Sequence, residues 1–511
     1  MSEREPNQKD SRLKPTSAVL DEMHRGDIHG AFGTIRLSDV APRRTWRRRI
    51  LTLLAIVGPG LIVMVGDNDA GGVSTYAQAG QDFGYSLLWT LLLLIPVLIV
   101  NQEMVVRLGA VTGVGYARLI SERFGRFWGW FSVVGIFLLN FLTISTEFMG
   151  VSLAGEYFGL KPAIVVPVGA LLLIGITVSG NFRRVKGGLT SNSALLIVAV
   201  VGTTVAPWQL FFQQSNVIDK RITPRWLDYE KADTVIGAFV VVIGAAAIMM
   251  ATASAFSGMP EFGHYQDGLH VAQGLHRYIS PAAGAIFAVL LFDASIVGAS
   301  AVTLATSYAF GDMFGLRHSL HRGIREAKLF YASYTGMVAL AAAIVLIPGA
   351  PLGLITTAVQ ALAGIMLPSA TVFAVLLCND RAVLGPWVNR PWLNAVAGAI
   401  VGAMLVLSLI LVISTVFPGV DVTTLLVVLG SVAALALLAG GLRSWLSARN
   451  MPPLPEVSRA ERENWRMPAL ALLERPAWSS ARKVTIGLLS GYLVVSIVLL
   501  VVKAFELAMH R

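Results

Sequence analysis

Residues 58–72 read GPGLIVMVGDNDAGG. This stretch lies in a long apolar segment, yet it contains two carboxylates, Asp67 and Asp69, together with Gly66 and Gly71–Gly72. A carboxylate at mid-membrane costs about 2.5–3.5 kcal/mol on insertion scales, and each glycine lowers helix preference by about 1 kcal/mol relative to alanine. The stretch predicts a membrane helix that is broken, where freed carbonyls and carboxylates can hold a cation. A kinked helix with capping carboxylates is the alternative.

The chain as a whole has the composition of a membrane protein. Of its 511 residues 55% are hydrophobic and 14% are charged, whereas about a quarter are charged in soluble proteins. Apolar segments without period-two alternation recur at about the 20-residue length that crosses a bilayer as a helix. The sequence therefore predicts an all-α integral membrane protein with about twelve apolar segments, at 50–75, 84–106, 127–157, 162–180, 190–217, 233–257, 281–311, 328–348, 352–378, 393–416, 423–442 and 484–505.

The chain has a net charge of +10, and its basic residues are distributed as in the loops of a membrane protein. Basic residues cluster between apolar segments, which is typical of cytoplasmic loops and favours a lipid bilayer over a nucleic acid as partner. The arginines within 43–49 are expected to keep the amino terminus in the cytoplasm of a plasma-membrane protein. Four parts are predicted: a polar tail, disordered or lying on the membrane, a transmembrane transporter domain, a cytoplasmic linker and an additional carboxy-terminal membrane helix, at 1–45, 46–442, 443–483 and 484–511.

Loop charges alternate as expected except between residues 181 and 232. Arg183 and Arg184 precede segment 190–217, and Lys220 and Arg221 follow it, so both flanks are predicted to be cytoplasmic. One span cannot join two cytoplasmic loops. Either this segment is re-entrant, or one crossing is missing before it.

Segment 190–217 contains a second helix-breaking signal. Pro207 lacks a backbone donor and obstructs the carbonyl four residues earlier, at Thr203. The Thr203 carbonyl is therefore a second candidate cation ligand, and an ordinary proline kink is the alternative. Together with the break near Asp69, this signal favours a binding site between two broken helices.

The order and spacing of these motifs resemble the Nramp family of divalent-metal transporters over about residues 50–416. Residues 58–80 are similar to the family's first span, with Asp69 at the position of its metal-binding aspartate. Residues 202–209 are similar to its sixth span, and Gln360, eight residues before Pro368, matches a glutamine of its tenth span.

This resemblance implies a LeuT-type fold of two inverted five-helix repeats with broken first and sixth helices. It also implies that the fifth span is missing, because only four spans precede the sixth-span motif. The implied metal ligands are the Asp69 carboxylate and the carbonyls of Gly66 and Thr203. Asp67, Gln209 and Gln360 would act directly or through retained water.

Two departures from the family pattern bear on ion selectivity. Ala206 stands where the family has a methionine thioether, and Gly72 stands where it has an asparagine amide. The site that remains is wider and lined by oxygen donors, which suits magnesium, a hard cation that keeps its waters. The pattern is similar to the Nramp-related magnesium transporters, with manganese as a plausible second substrate.

The family's proton route is altered as well. The sixth-span histidine is Trp208, and the acid one turn after Glu147 is replaced by Gly150. Glu147 itself occupies the position of a family aspartate, so it either titrates or serves as a hydrogen-bonded structural acid.

The predicted function is therefore secondary transport of a divalent cation by alternating access, with the ion as substrate and no cofactor. A manganese or iron importer and a non-transporting cation sensor are the alternatives. Motifs for metalloproteases, serine hydrolases and nucleotide-binding loops are absent from the sequence, which argues against an enzyme or a primary pump. The sequence leaves the oligomeric state open.

Overall fold

The fold was analysed in a computed structural model. It describes residues 24, 26–30, 32–39, 41–178, 206–348, 352–417, 419–449, 457–473 and 479–509. The described chain is almost entirely helical, as predicted. Its helices, numbered α1 to α18, are Trp46–Ile56, Pro59–Gly66, Ala70–Phe83, Leu88–Thr112, Tyr116–Phe124, Arg126–Tyr157, Pro162–Val178, Pro207–Asp219, Leu227–Phe256, Gly268–Tyr278, Pro281–Phe314, Lys328–Val345, Leu352–Cys378, Arg381–Leu384, Pro391–Val416, Val422–Arg449, Arg459–Asn464 and Ser480–Met509.

Eight of the described helices are long and apolar enough to cross a membrane, or up to ten if each of two bent helix pairs counts as one span. One bent pair is α1 and α2, which meet at 50° next to Gly58. The all-α membrane fold is thus confirmed. The predicted loss of the fifth span before segment 190–217, and the alternative that this segment is re-entrant, both depend on residues 179–205, which lie outside the described part of the chain.

The centre of the molecule is built around the short helices α2, α3 and α8. α2 and α3 pack against α9, while α8 packs against α4 and α11. Close approach requires small residues at the contacts: an ideal Cβ on Gly60 of α2 would lie 2.7 Å from the Thr234 amide nitrogen of α9. The longest helices, α6 and α11, pack against each other and support this centre from one side.

A short hairpin precedes the first helix, so residues 28–35 of the predicted tail are folded rather than disordered. Strands β1 (Ile28–Gly30) and β2 (Gly33–Ile35) pair antiparallel and pack against α1. Ile28 and Ile35 are buried, so the hairpin has its own small apolar contact with the helix. The hairpin was not predicted, because two three-residue strands carry too few residues for a period-two pattern.

The carboxy-terminal helices extend beyond the predicted segments. α16 continues to Arg449, past the expected end at 442, and α18 already begins at Ser480. Between them, the linker is fixed to the rest of the chain by Arg462, whose guanidinium carbon lies 4.0 Å from the ring centroid of Trp387. The Trp387 indole N–H donates to the Arg462 carbonyl at 2.9 Å.

Candidate functional site

The first span is broken between α2, which ends at Gly66, and α3, which begins at Ala70. The linking residues 67–69 are all buried. In a continuous helix the Ala70 amide would donate to the Gly66 carbonyl, but here it donates to Glu147 Oε2 at 2.9 Å. The Gly66 carbonyl therefore loses its usual helical partner. The predicted break of the first helix is confirmed.

Asp69 sits at the amino-terminal end of α3. Its Oδ1 accepts the Gly72 amide at 2.7 Å, as a helix-capping carboxylate does. Glu147 and α11 lie behind it, since an ideal Cβ on Gly298 would lie 2.5 Å from Asp69 Cβ and 2.9 Å from Glu147 Oε2. One oxygen of Asp69 therefore has the capping role that was the alternative to ion binding. The same hydrogen bond also holds the carboxylate at the break.

Asp67 differs from Asp69 in its partners. Its side chain is buried, and neither of its carboxylate oxygens has a hydrogen-bond partner within the described ranges. The same holds for Oδ1 of the neighbouring Asn68. A buried polar group without a partner costs about 1–3 kcal/mol, and more when it is charged. Such a cluster of unmatched oxygens calls for water or an ion.

α8 begins beside this break and forms the second wall of the site. Ala206 is its buried N-cap residue and Pro207 its first helical residue, a position that suits proline because the missing donor is not needed there. Trp208 is also buried, and its ring lies close to α2: an ideal Cβ on Gly66 would be 3.4 Å from Trp208 Cη2. The tryptophan in place of the family's histidine therefore fills space rather than supplying a titrating group.

Gln209 follows on α8 and forms an amide pair with Gln102 of α4. Gln102 Nε2 donates to Gln209 Oε1 at 3.2 Å, and both side chains are buried. Gln102 was not predicted as a site residue, although an amide in the apolar segment 84–106 was a usable signal. Its neighbour Glu103 pairs with Arg107 at 2.8 Å, the kind of contact that i,i+4 spacing favours.

Position 150 explains part of the altered proton route. An ideal Cβ on Gly150 would lie 2.3 Å from Ser295 Oγ and 2.6 Å from Ala70 Cβ. An acidic side chain at this position would therefore collide with α3 and α11. The glycine lets these helices approach α6 at a position where the resemblance to the Nramp family predicts a carboxylate.

Thr203 lies outside the described residues, and Gln360 lies in α13, with its side chain outside what the structure describes. The remaining predicted ligands of the first span, Gly66, Asp67, Asp69 and Gly72, come together at the break.

The donors at this break are oxygen atoms of carboxylates, amides and backbone carbonyls. The described part of the chain contains no group of three or more His, Cys, Asp or Glu side chains arranged to hold a metal ion. Oxygen donors without thiolate, thioether or imidazole are typical of sites for hard cations.

Broken helices around a buried polar site, within a bundle of membrane-crossing helices, define the class of LeuT-type secondary transporters. The family model described as "Natural resistance-associated macrophage protein-like" (Nramp) matches residues 60–190 and 185–414. The chain belongs to the Nramp family of metal-ion transporters and is not an enzyme. The two matched pieces meet within residues 179–205, where the sequence predicts the missing span.

Individual relatives agree with this assignment. The chain is 25% identical over 415 residues to the divalent metal cation transporter MntH of Ralstonia nicotianae, covering 70% of this chain and 91% of the relative. It is 27% identical over 405 residues to MntH 1 of Pseudomonas aeruginosa, with 68% and 89% covered. The crystal structure of the Eremococcus coleocola manganese transporter superimposes with a TM-score of 0.56 at 18% identity, covering 81% of this chain and 99% of that one. This likeness supports the fold.

Proposed function

We propose that the protein carries magnesium across the plasma membrane by alternating access, with manganese as a second substrate. The observation that carries the proposal is the pair of unmatched Asp67 oxygens buried beside Asp69. Two carboxylates at this depth are stabilised by a divalent cation, which supplies the charge that the described side chains around them do not.

In this proposal Asp69 supplies the principal charge, and the carbonyls of Gly66 and Thr203 complete the inner ligands. Asp67, Gln209 and Gln360 act directly or through water that the ion retains. Ala206 and Gly72 contribute space instead of donors. A site that is wide and lacks sulfur favours an ion with a firmly held hydration shell, and this is the argument for magnesium.

Glu147 has a supporting role in the proposal. It accepts the Ala70 amide and thereby holds the start of α3 next to Asp69. The family's onward proton relay has no acid at Gly150 and no histidine at Trp208. We therefore infer transport that does not depend on that relay.

Manganese as the main substrate is the second candidate, because the superimposed Eremococcus coleocola protein is described as a manganese transporter. A non-transporting cation sensor is the third, and it follows from the predicted loss of a span. These candidates differ in what crosses the membrane, so flux separates them.

The test is uptake of magnesium and manganese into liposomes that contain the purified chain, compared with the Asp69→Ala variant and with empty vesicles. Uptake of both ions that is abolished by the substitution supports the proposal. Manganese uptake that excess magnesium does not reduce would favour the manganese importer. Binding without flux from folded protein would favour the sensor.

A further inference from the structure

A second pair of buried acids lies near the amino-terminal end of α9. Glu230 and Asp233 are both 0% exposed. They are three residues apart on one helix, so their side chains lie on the same face. Neither residue belongs to the site at the break of the first span.

Asp233 uses only one of its oxygens. Its Oδ2 accepts the backbone amides of Gly58 at 3.0 Å and Gly60 at 2.8 Å, which caps the start of α2. Its Oδ1 has no hydrogen-bond partner among the residues that the structure describes. The capping role therefore accounts for half of this carboxylate.

Glu230 accepts fewer hydrogen bonds than Asp233. Its Oε1 accepts Gln213 Nε2 of α8 at 3.3 Å, and its Oε2 lacks a hydrogen-bond partner in the described ranges. Gln213 is itself 0% exposed, and its Oε1 is likewise unmatched there. Three oxygen acceptors, from Gln213, Glu230 and Asp233, thus lie in one buried interface without donors. Acceptors without donors are the complement of a cation.

One positive side chain lies close to this interface. The Lys220 ammonium donates to the carbonyls of Ile56 and Val57, and it acts electrostatically on both carboxylates. Burial alone favours the neutral form of both acids. Both can be ionised together only when a further cation is bound beside them.

Buried amides connect this interface to the break of the first span. Gln209 lies one helical turn before Gln213 on the same face of α8, and Gln102 donates to it. Gln102 Oε1 and Gln209 Nε2 have no hydrogen-bond partner within the described chain. These amides therefore form a row of buried side chains with unmatched polar atoms, which runs along α8 from Gln209 to Gln213.

We propose that Gln213, Glu230 and Asp233 form a second divalent-cation site between the first-span break and the cytoplasm. The transported ion occupies this second site either before it reaches Asp67 and Asp69 or after it leaves them. As a waypoint in transport it rests on the proposed function, whereas ion binding there can be measured without any flux.

The test counts manganese ions bound to the full-length chain in detergent, from the loss of the free-ion signal in electron paramagnetic resonance. Asp69→Ala removes the central site and is expected to leave one bound ion. Adding Glu230→Gln to that variant is expected to weaken the remaining binding at least about tenfold, equivalent to about 1.4 kcal/mol. The matched control adds Glu103→Gln instead. This acid is already paired with Arg107 and Lys231, so the remaining ion should stay bound.

Unchanged elution and melting temperature establish that each variant is folded. If Glu230→Gln fails this criterion, Gln213→Leu replaces it, with the same expected loss. The proposal is overturned if Asp69→Ala alone binds no manganese, or if the remaining ion is held equally well after folded Glu230→Gln or Gln213→Leu. Failure of the proposed function gives a different result, namely absent flux from the wild-type chain whatever number of ions it binds.

Discussion

Replacing Gly298 with alanine tests whether tight packing behind Asp69 sets the geometry of the site. The new Cβ would lie 2.5 Å from Asp69 Cβ, and 2.9 and 3.0 Å from Glu147 Oε2 and Cδ. Both contacts are shorter than carbon and oxygen atoms tolerate, so α3 must move away from α11. Overpacking of this kind costs about 1–3 kcal/mol. If this free energy is lost from cation binding, the affinity for the cation decreases about 5- to 150-fold, since about 1.4 kcal/mol corresponds to a factor of ten.

The assay is manganese binding to purified protein, together with its melting temperature. Gly336→Ala on α12 is the matched control, because an ideal Cβ there has no atom within 4 Å. Alanine favours a helix by about 1 kcal/mol over glycine, so the control should be neutral or slightly stabilised. If Gly298→Ala keeps the manganese affinity and the melting temperature of the wild type, the clash is relieved without a movement of Asp69. Packing behind Asp69 would then not set the geometry of the site.

Two further predictions concern selectivity and pH. Ala206→Met places a thioether, a soft ligand that suits cadmium, at the start of α8. We expect cadmium to inhibit magnesium uptake by this variant at least about tenfold more strongly than uptake by the wild type. Equal inhibition of wild type and folded variant would contradict the role given to Ala206. Burial by itself lowers the pKa of His318, but its hydrogen bond and charge interaction with Asp312, 3.2 Å away, outweigh this and raise the pKa. Since the folded state favours the proton, this stabilisation is complete below the ordinary pKa and is lost as pH rises through the folded value. Between about pH 5.5 and 8.5, the melting temperature of the wild type should therefore fall further than that of His318→Gln. Equal falls would contradict the raised pKa of His318.

The sequence was sufficient to predict the break near Asp69 because the evidence there is local. Carboxylates and glycines in an apolar segment oppose a continuous helix whatever surrounds them. The start of α8 at Pro207 follows from the same kind of local rule, since proline fits the first turn of a helix.

Features that depend on packing between distant segments were not predictable in this way. Gln102 and Gln209 meet across 107 residues of sequence, and no spacing rule connects them. Glu230 lies at the polar start of a span, where an acid ordinarily faces water. Its complete burial becomes evident only once α8 and α9 are seen to pack together. The amino-terminal hairpin was missed because its strands are too short to show a pattern.

The unmatched Asp67 carboxylate, beside Asp69, is proposed to stabilise the transported ion directly or through retained water. Asp67→Asn keeps the size of the side chain and removes its charge, and its effect is measured as uptake of magnesium and manganese into liposomes. We predict that uptake of both ions decreases at least about tenfold, a loss of about 1.4 kcal/mol of ion stabilisation, while Glu103→Gln retains uptake. Uptake at the wild-type rate by folded Asp67→Asn protein would contradict the claim.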